Sequence, residues 1–378
     1  MFTALREGLR PYTQAMREYA LKADELRDMP AEYVKDDFFR PIWQLGTPEK
    51  FGSIGLRGKN NQTYFGESAL ELAIWTEEIA YGDPAMLLTL PGPQLVGPLI
   101  SKIGEEHQQE TFFLSFLKKE PVWASFALTE PSCGSDLANI QTRAEYTQDF
   151  YKITGEKKYV GNGTRASWVC IFAKIADKKG TYPIQCFLFN HNDLSQIGVK
   201  RTEINTLGMR SAKLAHFVLD RASISRQHLL GYTKSPLKRG FTGAVHVFYR
   251  MRPSVSALAV GVSKAAIDYV KENIQLSASA EIEIARLQWK IKKAQHMIYR
   301  AAHQADQQIF SPKVSSMAKW YANCIVYEVT RKCIHFTGPD LPNHPLVEKW
   351  MRDARMIEFM EGTTNIHKNM IGKELFKK

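Results

Sequence analysis

The spacing of apolar residues changes twice along this 378-residue chain, and that double change narrows the possible architectures more than any single motif does. Up to about residue 121 the repeat is helical. Within 68–80 (SALELAIWTEEIA), Leu72, Trp75, Thr76 and Ile79 share one stripe, while Glu71, Glu77 and Glu78 fall largely elsewhere. Ser68, with Glu71 three residues on, reads as a capping box. From about 122 to 231 the period shortens. Val169, Ile171 and Ala173 alternate with Cys170, Phe172 and Lys174, residues 184–189 form a short apolar run, and 213–219 is a further strand candidate. Gly155-Glu156, Lys178-Lys179-Gly180 and 190–193 are the expected turns. From about 232 the helical repeat returns. Ile284, Leu287, Ile291, Ala294 and Ile298 form one seam suited to a bundle of long helices, and Ser311-Pro312 reads as an N-cap followed by Pro at the first helical position. The expectation is an α+β chain, mostly α, with an N-terminal helical domain (1–121), a small antiparallel β domain (122–231) and a C-terminal helical bundle (232–378).

Composition excludes several function classes. The five cysteines are scattered without a C-x-x-C pair, and the ten histidines show no ligand spacing, so neither a disulfide framework nor a metal site is expected. No stretch is long and apolar enough to span a membrane, and the first residues lack the apolar run of a signal peptide, so a cytoplasmic protein is expected. The formal charge of +11 suits an anionic partner, or simply a solvated basic surface. Basic residues are not interleaved with aromatics as in single-strand binders, so no nucleic-acid partner is expected. The glycine-rich segment 52–58 is not G-x-G-x-x-G and reads as a loop.

Two segments carry candidate chemistry. In 126–136 (FALTEPSCGSD) a strand runs into a turn rich in hydroxyls, where backbone N–H groups and the Thr129 and Ser135 hydroxyls can meet a heteroaromatic edge or a phosphate. The plainer reading is a strand followed by an ordinary Pro-Ser turn. In 351–365, helix-like residues lead into a Gly-containing break and a second helix capped by Thr363 or Thr364. Glu361 sits in that break, where a carboxylate can point into a cleft; the commoner alternative is a solvated loop Glu.

Together these motifs resemble the acyl-CoA dehydrogenase superfamily. The resemblance rests on Leu128-Thr129-Glu130-Pro131 with Gly134-Ser135-Asp136, on Leu207-Gly208-Met209-Arg210-Ser211 with Leu229-Leu230-Gly231, and on Arg352-Asp353-Ala354 with Glu361-Gly362-Thr363, in that order. It implies a barrel-like central domain, a C-terminal four-helix bundle and bound FAD. It implies that Phe126, Leu128, Thr129, Gly134 and Ser135 lie along the flavin and pyrophosphate, with Tyr159 and Gly161 on the flavin's other side and Thr363 and Asn365 also at the cofactor. The residue matching Glu361 removes the proton next to the thioester carbonyl as a hydride leaves for the flavin. Its backbone N–H, with a ribityl hydroxyl, stabilises the enolate. Ser135, His246, Tyr249, Arg250, Arg252 and Gly362 fall at the substrate. Some members place the base on an earlier helix, where this chain has Met251, which cannot serve.

The chain also departs from the family pattern. Tyr159 and Gly161 stand where Trp and Thr are usual, and Asn365 and Cys333 replace common Gln or Glu and Gln. Residues 273–277 lack the Arg and Phe-Gly that reach a neighbouring subunit's FAD, and 335–339 replaces a Gly-Gly loop. FAD is therefore expected to be held mainly from the β-domain side. The polar group His246, Tyr249, Arg250 and Arg252 points to a short or polar acyl group, carried by CoA or by an acidic acyl carrier protein in polyketide or nonribosomal peptide biosynthesis. The resemblance further implies electron-transfer flavoprotein or oxygen as acceptor, and a homodimer or homotetramer. A flavin oxidase or monooxygenase of the same fold, and an inactive binding homologue, are the alternatives.

Overall fold

The computed structural model describes residues 2–175, 184–196 and 198–376, so the turn expected at 178–180 lies outside the described residues. The first region holds α1 (Thr3–Leu26), α2 (Ala31–Lys35), α3 (Arg40–Trp43), the short hairpin β1 (Leu56–Arg57) and β2 (Thr63–Tyr64), then α4 (Ala69–Gly82), α5 (Pro84–Thr89), α6 (Val96–Ile103) and α7 (Glu106–Ser115). The middle region holds β3 (Ala124–Ala127), β4 (Arg143–Thr147), β5 (Phe150–Val160), β6 (Trp168–Ile175), β7 (Ile184–Asn190), α8 (His191–Gln196), β8 (Lys200–Glu203) and β9 (Ala215–Ser225). After α9 (Pro236–Arg239) come the long helices α10 (Phe241–Asn273), α11 (Ala278–Asp306) and α12 (Pro312–Thr337), then α13 (Pro345–Ile357) and α14 (Thr364–Leu375).

Helix α4 starts as its sequence dictates, with Ser68 Oγ accepting the Glu71 N–H at 3.0 Å. It has no solvent face at its middle, because α1, α10 and α11 all pack on it. Gly261 of α10 lies so close that a Cβ there would sit 2.3 Å from the Glu77 carbonyl oxygen. Glu77, expected off the buried stripe, is therefore buried, and it survives by pairing. Its carboxylate accepts from Arg6 (3.2 Å), Lys264 (2.5 Å), Gln295 (2.6 Å) and Tyr299 (2.6 Å). The helices of the two chain ends thus share one core, in which Leu9 and Met16 join Ile291, Ile298 and Trp350.

The sheet runs β3-β6-β4-β5-β9-β8, with β7 on the other edge of β6. It is antiparallel except where β3 and β4 run parallel to β6. Strands β6 and β7 are apolar on both faces because both faces are covered. Val169, Ile171, Phe187 and Phe189 fill the inside of the curl with Phe217. Cys170, Phe172, Cys186 and Leu188 meet Phe112 and Phe113 of α7 and Met251 of α10. Two expected turns prove to be something else. Gly155-Glu156 lies within β5, where Gly155 takes φ +150° against Thr142 at an irregularity in the ladder. Residues 190–193 open α8, with the Asn190 N–H donating to Asp193 Oδ2 and the Asp193 N–H donating back to Asn190 Oδ1. Among the described residues no helix is long and apolar enough to cross a membrane, and no cluster of His, Cys, Asp and Glu could hold a metal.

Candidate active site

Strand β3 delivers the hydroxyl-rich turn, and Glu130 holds that turn in shape. Its carboxylate accepts from the Gln141 N–H (2.5 Å), the Thr142 N–H (2.9 Å), the Thr142 hydroxyl (2.6 Å) and Lys157 Nζ (2.7 Å). Lys157 also donates to the Leu128 carbonyl at 3.1 Å. Burial alone would raise the Glu130 carboxyl; these donors hold it below the usual range. Burial pushes Lys157 down to about 8 in spite of its partner. The Leu128 side chain points into the core, leaving only its backbone at the turn. Thr129 is half-buried and Ser135 exposed, and neither hydroxyl has a partner among the described residues.

The neighbouring end of β5 is open in a matching way. Tyr159 is 56% exposed and takes φ +61° at a break in the β5–β9 register. At Gly161 a Cβ would meet only Leu214, at 3.9 Å, and at Gly134 it would meet nothing within 4 Å. Ser125 Oγ donates to the Gly161 carbonyl at 2.6 Å and fixes this stretch against β3. Free hydroxyls, an exposed aromatic ring and two backbone approaches without side chains suit a planar, polyphosphorylated cofactor such as FAD, so the residues present fit the group.

In the C-terminal helices, α13 ends at Ile357 and α14 begins at Thr364. Between them Glu361 takes φ +54° and Gly362 φ +104°. The Thr363 hydroxyl accepts the Ile366 N–H at 3.4 Å, which leaves its proton free to donate. The Glu361 carbonyl accepts from His367 Nε2 at 3.2 Å, while the Glu361 N–H and carboxylate have no hydrogen-bond partner among the described residues. Burial drives the Glu361 carboxyl up to about 7, although Arg252 and Lys319 pull it down. His367 is buried and pushed down to about 3, so it is neutral.

Helix α10 joins the two sides. Phe126 packs edge-on against Phe248 at 5.6 Å, and Met251 is buried among apolar side chains nearby. Arg252 is buried, lies over the Tyr249 ring at 5.2 Å and donates to Ser315 Oγ at 3.3 Å, with its Nε unpartnered. The structure therefore gathers Glu361, Gly362, Arg252 and Tyr249, while Phe126 meets α10 at Phe248. Arg250 is half-buried and Asn365 exposed, neither bonded to Glu361 among the described residues, and the His246 side chain lies outside the described residues. Lys319 and His367 were not singled out from the sequence. The signal for Lys319 was there: Ser315, Lys319 and Asn323 repeat at four-residue spacing along the seam of α12 that also buries Val326 and Thr330.

Family comparison agrees with this geometry. Residues 125–222 match the acyl-CoA dehydrogenase middle domain, and 238–376 match the acyl-CoA dehydrogenase C-terminal domain. The chain is similar to a 3-(aryl)acrylate reductase of Clostridium sporogenes (26% identical, 96% of this chain and 95% of the relative). It is equally similar to the short-chain-specific acyl-CoA dehydrogenase of Clostridium acetobutylicum (26%, 96% and 97%). A subunit of the caffeyl-CoA reductase-Etf complex of Acetobacterium woodii is 27% identical over 96% of each chain. In fold it superposes on the prolyl acyl carrier protein oxidase AnaB (TM-score 0.82, 20% identity, all of both chains). It also superposes on PigA, solved with FAD (0.84, 19%, 98% and 96%). With both family domains matched in order over more than half its length, the chain belongs to the acyl-CoA dehydrogenase superfamily of FAD-dependent enzymes.

Proposed function

We propose that this protein is an acyl-thioester dehydrogenase in which Glu361 removes the proton next to the thioester carbonyl. The observation that carries this reading is the break between α13 and α14: a carboxyl with no hydrogen-bond partner, raised to about 7, beside a backbone N–H that also has no partner among the described residues. A base near neutrality takes a proton readily at working pH. The free Glu361 N–H can donate to the thioester oxygen as negative charge develops there. Bound FAD would supply the hydride acceptor. Thr129, Ser135 and the backbone at Gly134 and Gly161 would hold it, with Tyr159, Thr363 and Asn365 at its edge. Arg252, held rigid by Tyr249 and Ser315, keeps a fixed positive charge near Glu361. The same carboxyl can return the proton, so reduction of an α,β-unsaturated thioester is the second direction open to this site, in keeping with the two reductases among its relatives.

For substrate we propose a short or polar acyl group on CoA or an acyl carrier protein. Tyr249, Arg250 and Arg252 make this stretch of α10 polar, the net charge of +11 suits an acidic carrier, and AnaB shares the fold. The test is anaerobic bleaching of the bound flavin by a panel of short acyl-CoAs and loaded carrier proteins, with the products identified by mass spectrometry. Absence of flavin absorption in the purified protein, even after adding FAD, would sink the reading.

A further inference from the structure

Lys319 is fully buried, and the reading above gives it only a distant electrostatic part. Its Nζ donates at 2.8 Å to the carbonyl of Ile357, the last residue of α13. It also donates at 2.5 Å to Asn323 Oδ1, and Asn323 Nδ2 donates in turn at 3.5 Å to the hydroxyl of Thr364, the first residue of α14. Ile357 and Thr364 are the two ends of the break that carries Glu361. One ammonium on α12 therefore spans that break from beneath. A cation at the C-terminus of α13 is also well placed for the helix dipole. Glu361 needs such support, because a non-glycine residue at φ +54° persists only where its surroundings over-determine it.

We propose that Lys319 is a positioning residue for Glu361: through Ile357 and Asn323 it sets the backbone of the break, and in its ammonium form it adds positive charge beside the Glu361 carboxyl. This rests on Glu361 being the base. The charged groups around Lys319 are Glu361, Arg252 of α10 and Glu358 in the turn after α13, with His367 of α14 neutral. Burial drives Lys319 down to about 7; Glu361 and Glu358 favour its ammonium form and Arg252 opposes it, and in that form it joins Arg252 in pulling the Glu361 carboxyl down.

The test reads Glu361 directly, by infrared titration of its carboxyl band in the FAD-loaded protein, with the band assigned by its loss in Glu361→Gln. In Lys319→Met, or in Lys319→Gln should the first not fold, the midpoint is expected to move up by about one pH unit or more. Asn323→Ala keeps the charge but cuts the link to α14. Its midpoint should stay near the parent's, while flavin bleaching by butyryl-CoA slows ~10-fold or more through misplacement of the base. An unmoved midpoint in the Lys319 variants, or a parent-like bleaching rate in Asn323→Ala, overturns the proposal. If instead Glu361→Gln bleached flavin as fast as the parent, the base assignment would fall while the infrared result still stood.

Discussion

Glu361 combines three features that a solvated loop glutamate lacks: a left-handed backbone, an N–H without a partner among the described residues, and a carboxyl raised to about 7 by burial. Replacing it with Gln keeps the shape and removes the base. We expect Glu361→Gln to slow flavin bleaching by acyl thioester by ~100- to 10,000-fold, read by anaerobic rapid mixing. A base acts only when deprotonated, so in the parent the bleaching rate should rise with pH through about 7. Arg252 pulls the Glu361 carboxyl down, so Arg252→Met should carry that rising limb to higher pH. A limb at the same pH in both proteins would show that Arg252 has no hold on the titrating group. Glu361 was legible in the sequence because a Gly-containing break between two helical patterns is a local signal. Its neighbour Lys319 shows there only as a polar step in the seam of α12, and His367 gives no such signal, since a lone cation or imidazole on an apolar seam reads as core until the facing element is known.

The turn after β3 shows how a motif residue can act at one remove from the chemistry. Glu130 lies inside the motif that carries the family resemblance, yet it accepts four hydrogen bonds within the protein and braces the turn whose Thr129 and Ser135 hydroxyls stay free among the described residues. Its buried partner Lys157 stands 27 residues away in sequence. Removing one member of a buried ion pair strands the other, so Glu130→Ala should lower stability by ~3–5 kcal/mol. Urea unfolding would measure that loss, and flavin retained through gel filtration should fall with it. Unchanged flavin content in a destabilised variant would separate the brace from the cofactor site. Helix α4 carries the matching lesson. Its start was written in Ser68 and Glu71, but whether Glu77 met solvent depended on three other helices.

The motifs at 207–211 and 352–354 hold the regions of the chain together. Lys349 sits fully buried between Asp83, which caps α5, and Asp353 at 2.7 Å, and Asp353 accepts the Met209 N–H at 2.5 Å. Arg352 donates to Asp24 of α1 and to the Leu207 carbonyl. Asp24 also pairs with Arg210 at 3.4 Å. Four segments far apart in sequence therefore meet through one set of charges. Lys349→Ala would leave two carboxylates buried with no cation between them. We expect a loss of ~3–5 kcal/mol, with tryptophan fluorescence and flavin release reporting a single shared transition in denaturant. Separate transitions would mean that the regions unfold independently and that this cluster does not couple them.

Apolar period, caps and turn residues are local properties, and from them alone the chain disclosed a helical–β–helical order, the start of α4, the seam of α11, the Ser311-Pro312 start of α12 and the break at Glu361. Packing decided the rest, because it depends on which distant surfaces meet. It turned Gly155 into a bulge against Thr142, buried Glu77 in a cage of donors, and set Arg252 and Lys319 near Glu361. The raised carboxyl of Glu361 belongs to that second class. Its sequence position shows a carboxylate at a helix break, but only the tertiary enclosure withdraws it partly from water and brings Arg252 and Lys319 close enough to keep it from rising further.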